Sequence, residues 1–247
     1  FHVNDNNTLR FVMSKAVRMP DIQEQRANWT YMATNFSSPL NGTNQGLFFQ
    51  SARASGNLTG EKNTSKEIGL LMNYPQLGIL FDAKVFEEKL DDLISEKLQL
   101  ASFLPTNSNS ATLRGAEFQL SYIPSDRWMA HMGYSYLINH ASSIFEQSQY
   151  AKHSGMLSIT HLLPSGWRAS FAYYGYGAGT TGQTFYGRED LTFSKTFRLA
   201  KDVTVTPTLT FSYLNNSTST YLVDVGQRRE SSYNDSKQCY LTVKISY

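Results

Sequence analysis

Two alternations run through this sequence together, and few folds accept both. Within segments of about ten residues, apolar and polar side chains take turns; between segments, short turns and long polar connections take turns. Residues 202–214 show the first pattern. Val203, Val205, Pro207, Leu209, Phe211 and Tyr213 fall on one face, and Thr204, Thr206, Thr208, Thr210 and Ser212 on the other. A period of two is the side-chain period of a β-strand. The same pattern recurs at 111–122, at 167–176 and over the last residues of the chain. Ten strands are expected, near 8–17, 63–74, 77–87, 110–122, 127–139, 152–163, 167–176, 187–199, 202–214 and 238–247.

The second pattern concerns what joins them. Short turns stand at 73–78, 123–127, 163–166 and 199–202, and long polar connections at 18–62, 88–110, 139–151, 175–186 and 214–237. A soluble sandwich has no reason to alternate short with long. A transmembrane meander does, with short periplasmic turns and long outer loops. Strands of about ten residues also match the length a tilted strand needs to cross a bilayer. Tyr74, Tyr122, Trp128, Trp167 and Phe197 stand beside the short turns, where an interfacial aromatic girdle is expected. Two residues disturb the pattern. Lys195 lies on an apolar face, near enough to a short turn to extend toward headgroups. Pro207 cannot donate to a ladder, so a bulge or irregular pairing is expected there.

Composition narrows the alternatives. Charged residues are 17%, below the roughly 25% of ordinary soluble domains. No stretch approaches the roughly 18 apolar residues of a helical span. A net charge of +2 gives no support to nucleic-acid binding. The single cysteine, Cys239, rules out an internal disulfide framework. Residues 84–100 read as a strand running into a charged loop, with a helix from 86 onward as the competing reading.

Several segments resemble one family. "SKAVRMPDIQE" at 14–24 is similar to a strand end of the TonB-dependent outer-membrane receptors, with Arg18, Pro20 and Glu24 matching and Val17 and Met19 departing. "GNLTGEKNTSKEIGL" at 56–70 resembles the segment that follows, through Leu58, Glu61, Ser65, Glu67 and Gly69, with Gly56 and Gly60 near the places of two prolines. Gly115 and Glu117 match the family's Gly-x-Glu strand, and 188–199 and the aromatic terminus resemble its last strands. The resemblance implies an antiparallel up-and-down transmembrane β-barrel of 22 strands enclosing a plug. Residues 1–247 would then be the C-terminal portion, its ten strands the last ten, with the plug domain, the first strands and the TonB-contacting segment outside the chain. It implies a multi-pass location in the outer membrane, contact with outer-membrane lipid, no enzymatic activity, no cofactor, and energised transport of a ferric siderophore.

Candidate ligand residues follow from aromatic and cationic side chains in the outer connections: Trp29, Tyr31, Phe48, Phe49, Arg53, Tyr150, Tyr176, Tyr186, Tyr221 and Arg228. Aromatic faces beside cations suit a bulky anionic chelate. Haem receptors of the family usually place a histidine between the two N-terminal motifs, and 19–56 holds none. The last strand ends in Tyr247 with Leu241, Val243 and Ile245 at two-residue steps, which resembles the signal read by the barrel-assembly machinery. No catalytic or metal-binding motif is present; His140, His153, Asp91 and Asp92 read as solvated loop residues. Asn-x-Ser/Thr triplets at Asn28, Asn41, Asn57 and Asn215 are expected by chance in so polar a chain. The competing readings are a complete small barrel acting as porin or adhesin, and an outer-membrane hydrolase.

Overall fold

A computed structural model describes residues 1–33, 48–54, 56–95, 98–99, 102–103, 105–143, 147, 150–178, 185–215, 218–224, 227–232 and 236–247. The first strands are β1 (His2–Asn4) and β2 (Asn7–Arg18), followed by helix α1 (Ile22–Arg26), β3 (Asn28–Ala33) and β4 (Phe48–Arg53). Next come β5 (Glu61–Tyr74), β6 (Ile79–Ser95), β7 (Leu98–Gln99), β8 (Ser102–Phe103), β9 (Thr106–Ser125) and β10 (Trp128–Ala141). The chain continues through β11 (His153–Leu162), β12 (Trp167–Tyr176), β13 (Tyr186–Lys195), β14 (Phe197–Arg198) and β15 (Thr204–Leu214). The last are β16 (Thr218–Asp224), β17 (Gln227–Ser232) and β18 (Lys237–Ser246).

All ten expected strands are present and pair with their sequence neighbours. One antiparallel sheet runs β1-β2-β5-β6-β9-β10-β11-β12-β13-β15, with β18 on the far side of β15. Among the described residues, no ladder joins β18 to β1 or β2, so the sheet is an open wall with two edges. Its two faces differ. Phe211 is 44% exposed and Tyr213 41%, whereas Thr210 and Ser212, which alternate with them, are 9% and 7%. Phe11, Ile68, Val85, Leu241, Val243 and Ile245 are likewise exposed. Large apolar residues are therefore outermost and small polar ones lie within, the inverse of a soluble sheet.

Two features depart from expectation, and a third narrows it. The strand expected at 77–87 continues to Ser95, and its partner spans Thr106–Ser125 rather than 110–122. The charged stretch after Phe86 stays extended because its charges meet partners across the ladder. Glu87 pairs with Arg114 and Lys62 with Asp92. Near the outer end the register shifts between Leu90 and Leu93, where Asp92 adopts a left-handed φ of 57°. Second, the long connections are themselves paired. The 18–62 segment holds α1 and the β3–β4 hairpin, β4 meets β8 in parallel through Ser51↔Ser102 and Ala52↔Phe103, and β16–β17 forms a separate hairpin. Third, of the bulge or irregular pairing expected at Pro207, the structure shows the irregular pairing and no bulge. The β15–β18 ladder runs through it unbroken, while the opposite ladder stops after Ser194↔Thr208 and resumes in the same register at Phe197↔Val205. The Thr196 and Thr206 hydroxyls bridge that gap at 2.8 Å.

The short turns carry the aromatic ends as expected. Trp128 stacks on His161 with ring centroids 4.0 Å apart. Lys195 stays on the apolar face with its ammonium 5.7 Å from the Trp167 ring and 5.4 Å from the Phe197 ring. Gly78, at φ 66°, closes the turn after Tyr74; a side chain there would strike the Ile123 carbonyl.

Candidate functional site

The inner face carries a charged network that only the register could assemble. Arg10, Gly69, Lys84, Glu117, Ser135, Ser154, Tyr176 and Tyr186 are successive partners across seven ladders. Arg10 grips Asp82 through both terminal nitrogens, at 3.0 and 2.9 Å, and its Nε donates to Glu67 at 2.9 Å. Lys84 lies 3.1 Å from Glu117 and 3.7 Å from Glu67, and the Ser135 hydroxyl donates to Glu117 at 3.2 Å. Three carboxylates against two cations leave one negative charge in excess within this network. Gly69 makes the geometry possible, because a Cβ there would come within 2.6 Å of the Arg10 Nε. Gly115 has the same role for Phe86, whose ring a Cβ would meet at 2.7 Å.

A second knot lies where β2 and β5 reach the outer end. The Arg18 guanidinium bonds Glu61 and Glu24, the latter at 2.9 Å and buried. Glu24 also accepts the Asp21 amide at 2.7 Å while Asp21 accepts the Glu24 amide at 2.7 Å, a reciprocal cap that starts α1. Glu61 in addition accepts the Ile94 amide at 2.7 Å, tying the end of β6 to the same arginine. Arg18 and Glu24 from one of the two N-terminal segments that carry the resemblance, and Glu61 from the other, thus meet at one point.

The expected ligand residues lie at the long-connection end; among those whose side chains are described, Trp29, Arg53 and Tyr150 share no pocket with Tyr176 and Tyr186. Trp29, on β3, is 42% exposed and opposite Ala52, and Arg53 is exposed opposite Asn28. Tyr150 is exposed. Tyr176 and Tyr186 pair across β12 and β13 on the inner face, and the Tyr176 hydroxyl accepts the Ala151 amide at 3.0 Å. With Ser135, Ser154 and Tyr174 they line an open concavity of about 650 Å³. The side chains of Tyr31, Phe48, Phe49, Tyr221 and Arg228 lie outside the described residues; their backbones sit in the β3–β4 and β16–β17 hairpins. Leu241, Val243, Ile245 and Tyr247 are exposed on the outward face of the edge strand.

The residues of the hydrolase reading are not brought together. Asp92 is engaged by Lys62 at 2.8 Å, and His153 by the Tyr134 hydroxyl at 2.7 Å, on separate strand pairs. Sequence reasoning did not single out Arg10, Asp82 or Lys84. The available signal was their placement on the polar side of alternating strands.

The comparisons agree with this architecture. The family model for the TonB dependent receptor-like β-barrel matches residues 1–236. No curated protein sequence matches. Among solved structures, the ferric enterobactin receptor PfeA of Pseudomonas aeruginosa, as the R480A mutant in complex with enterobactin, aligns with 99% of this chain and 39% of its own at a TM-score of 0.66 and 13% identity. The ferripyoverdine receptor of the same organism, bound to ferripyoverdine, aligns with 100% of this chain and 32% of its own, at a TM-score of 0.66 and 10% identity. The copper transporter OprC aligns with 84% and 32%, at a TM-score of 0.56 and 18% identity. The chain thus spans about a third of the length of such receptors. An open antiparallel wall, apolar outward and charged inward, with a matching family model over nearly its whole length, has one place: the chain belongs to the TonB-dependent receptor family, whose outer-membrane β-barrel it helps to form.

Proposed function

We propose that this chain serves the energised uptake of a ferric siderophore across the outer membrane, as the C-terminal portion of a plugged 22-stranded barrel. The receptor is a transporter and performs no chemistry on its ligand. Energy reaches it from the TonB complex through a part of the protein N-terminal to this chain. The barrel-assembly machinery inserts it by reading Leu241, Val243, Ile245 and Tyr247. The observation that supports the ligand class is the exposure of Trp29, Tyr150 and Arg53 at the long-connection end. Aromatic faces and guanidinium groups suit a large anionic iron chelate. PfeA and the ferripyoverdine receptor, which share the fold, bind chelates of that class.

Uptake of radioactive iron by cells carrying the intact receptor tests the reading. Trp29→Ala and Tyr31→Ala are expected to lower uptake at limiting ligand. The His140→Ala/His153→Ala double variant is expected to leave it nearly unchanged. A strict requirement for His140 would transfer the assignment to haem, a metal ion or a hydrolase.

A further inference from the structure

The outward face of the wall is not uniform, and the register shows where it changes. Phe11, Ile68, Val85, Ala116 and Tyr136 form one outward row across β2, β5, β6, β9 and β10. Two residues nearer the outer end, the row becomes Met13, Lys66, Glu87, Arg114 and Ile138. Two further on it becomes Lys15, Thr64, Lys89, Thr112 and His140, with Lys62 and Asp91 beyond. An apolar band therefore gives way to a patch of five cations on β2, β5, β6 and β9. Arg114 is held by Glu87 at 2.6 Å and Lys62 by Asp92 at 2.8 Å. Lys15, Lys66 and Lys89 are exposed and form no ion pair among the described residues. At the same height β11, β12 and β13 present Gly155, Tyr173, Gly175, Gly187 and Glu189, so this is a patch and not a belt.

Its height is informative. Lys89 stands about ten residues along its strand from Ile79, which lies in the short-turn girdle. At a rise of about 3.3 Å per residue and a tilt near 40°, that places it about 25 Å above the girdle. The apolar band of an outer-membrane barrel is about 25 Å tall. Lys15 and Lys89 thus lie where acyl chains end and headgroups begin, and Lys66 one row beneath them, about 20 Å above the girdle. Unpaired ammonium groups at that level attract phosphate, and the apolar row beneath offers a bed for the chains of the same molecule.

We propose that Lys15, Lys66 and Lys89, with Arg114 beside them, form a binding site for a phosphorylated lipid of the outer leaflet, whose acyl chains lie on Phe11, Ile68 and Val85. The site is separate from the ligand-binding rim, and its test does not depend on transport. The intact receptor is purified in detergent, and binding of bis-phosphorylated lipid A is titrated by native mass spectrometry. Wild type is compared with Lys15→Gln/Lys66→Gln/Lys89→Gln and with the control Lys195→Gln at the opposite end of the wall. Heat-modifiable gel mobility confirms that each variant is folded. The triple variant is expected to bind about a hundredfold more weakly, about fivefold per lysine removed, and the control to match wild type. Lipid A stripped of its phosphates is expected to bind wild type as weakly as the triple variant binds the intact lipid. Equal affinity of the triple variant and wild type, or indifference to the phosphates, would overturn the proposal. Should the triple variant not fold, the stripped lipid and the loss of wild-type binding with added salt still decide it. Displacement of the lipid by millimolar inorganic phosphate would show an anion site only, and would equally overturn the lipid assignment.

Discussion

At the scale of single residues, the alternation read from the sequence assigned each side chain to a face, but could not say which residues meet across strands. Thr208, Thr210 and Ser212 were legible as one polar row. That Arg10 reaches over Gly69 to Asp82 was not, because the contact depends on two ladders between residues far apart in the chain. Two predictions belong here. Leu209→Arg would place a charge among Phe211, Val205 and Val243 on the lipid side. In the intact receptor it is expected to cost about 2–4 kcal/mol, and Thr208→Arg on the inner side little, measured by denaturant unfolding in bilayers. Equal costs would refute the face assignment. Gly69→Ala is expected to cost about 1 kcal/mol by displacing the Arg10 side chain from its carboxylates. The same change in an Arg10→Ala background is expected to cost almost nothing. A double-mutant cycle with additive costs would show that the glycine has no part in holding the network.

At the scale of elements, the ten strands were legible because each is long enough to repeat its period several times. The ends of β6 and β9 were not. The outer half of β6 is charged and that of β9 rich in Asn, Ser and Thr, and both read as loop in sequence, whereas here Glu87 and Arg114 face each other on adjacent strands. The hairpins within the long connections were hidden for another reason. Pairing of β4 with β8 joins two different connections, and nothing in either alone announces it. Pro207 offers a test at this scale. It removes one donor from the ladder opposite Lys195, and the structure loses two pairings without losing register. Pro207→Val is expected to merge β13 and β14 into one continuous strand and to raise stability by about 1 kcal/mol. A higher temperature for the gel-mobility change would show it. An unchanged or lower temperature would mean that the proline is needed where the wall bends toward the short turn.

At the scale of the whole molecule, the wall is open, and its two margins decide how it behaves alone. Half of the backbone groups of β18 face away from β15 and, among the described residues, meet no other strand. In hydrocarbon each unpaired group costs several kcal/mol, far more in total than ordinary folding stability. The chain refolded alone in detergent is therefore expected to aggregate or to remain protease-sensitive. A heat-modifiable, protease-resistant monomer would show that ten strands close by themselves, and would favour the small-barrel reading. The outer hairpins stand apart from this constraint. Among the described residues, β16 and β17 bond to each other and to no strand of the wall, and β3, β4, β7 and β8 form a sheet of their own. Substitutions there can therefore reshape the outer surface without touching the wall that sits in the membrane, so lineages carrying this wall are free to diverge fastest where it faces the outside world.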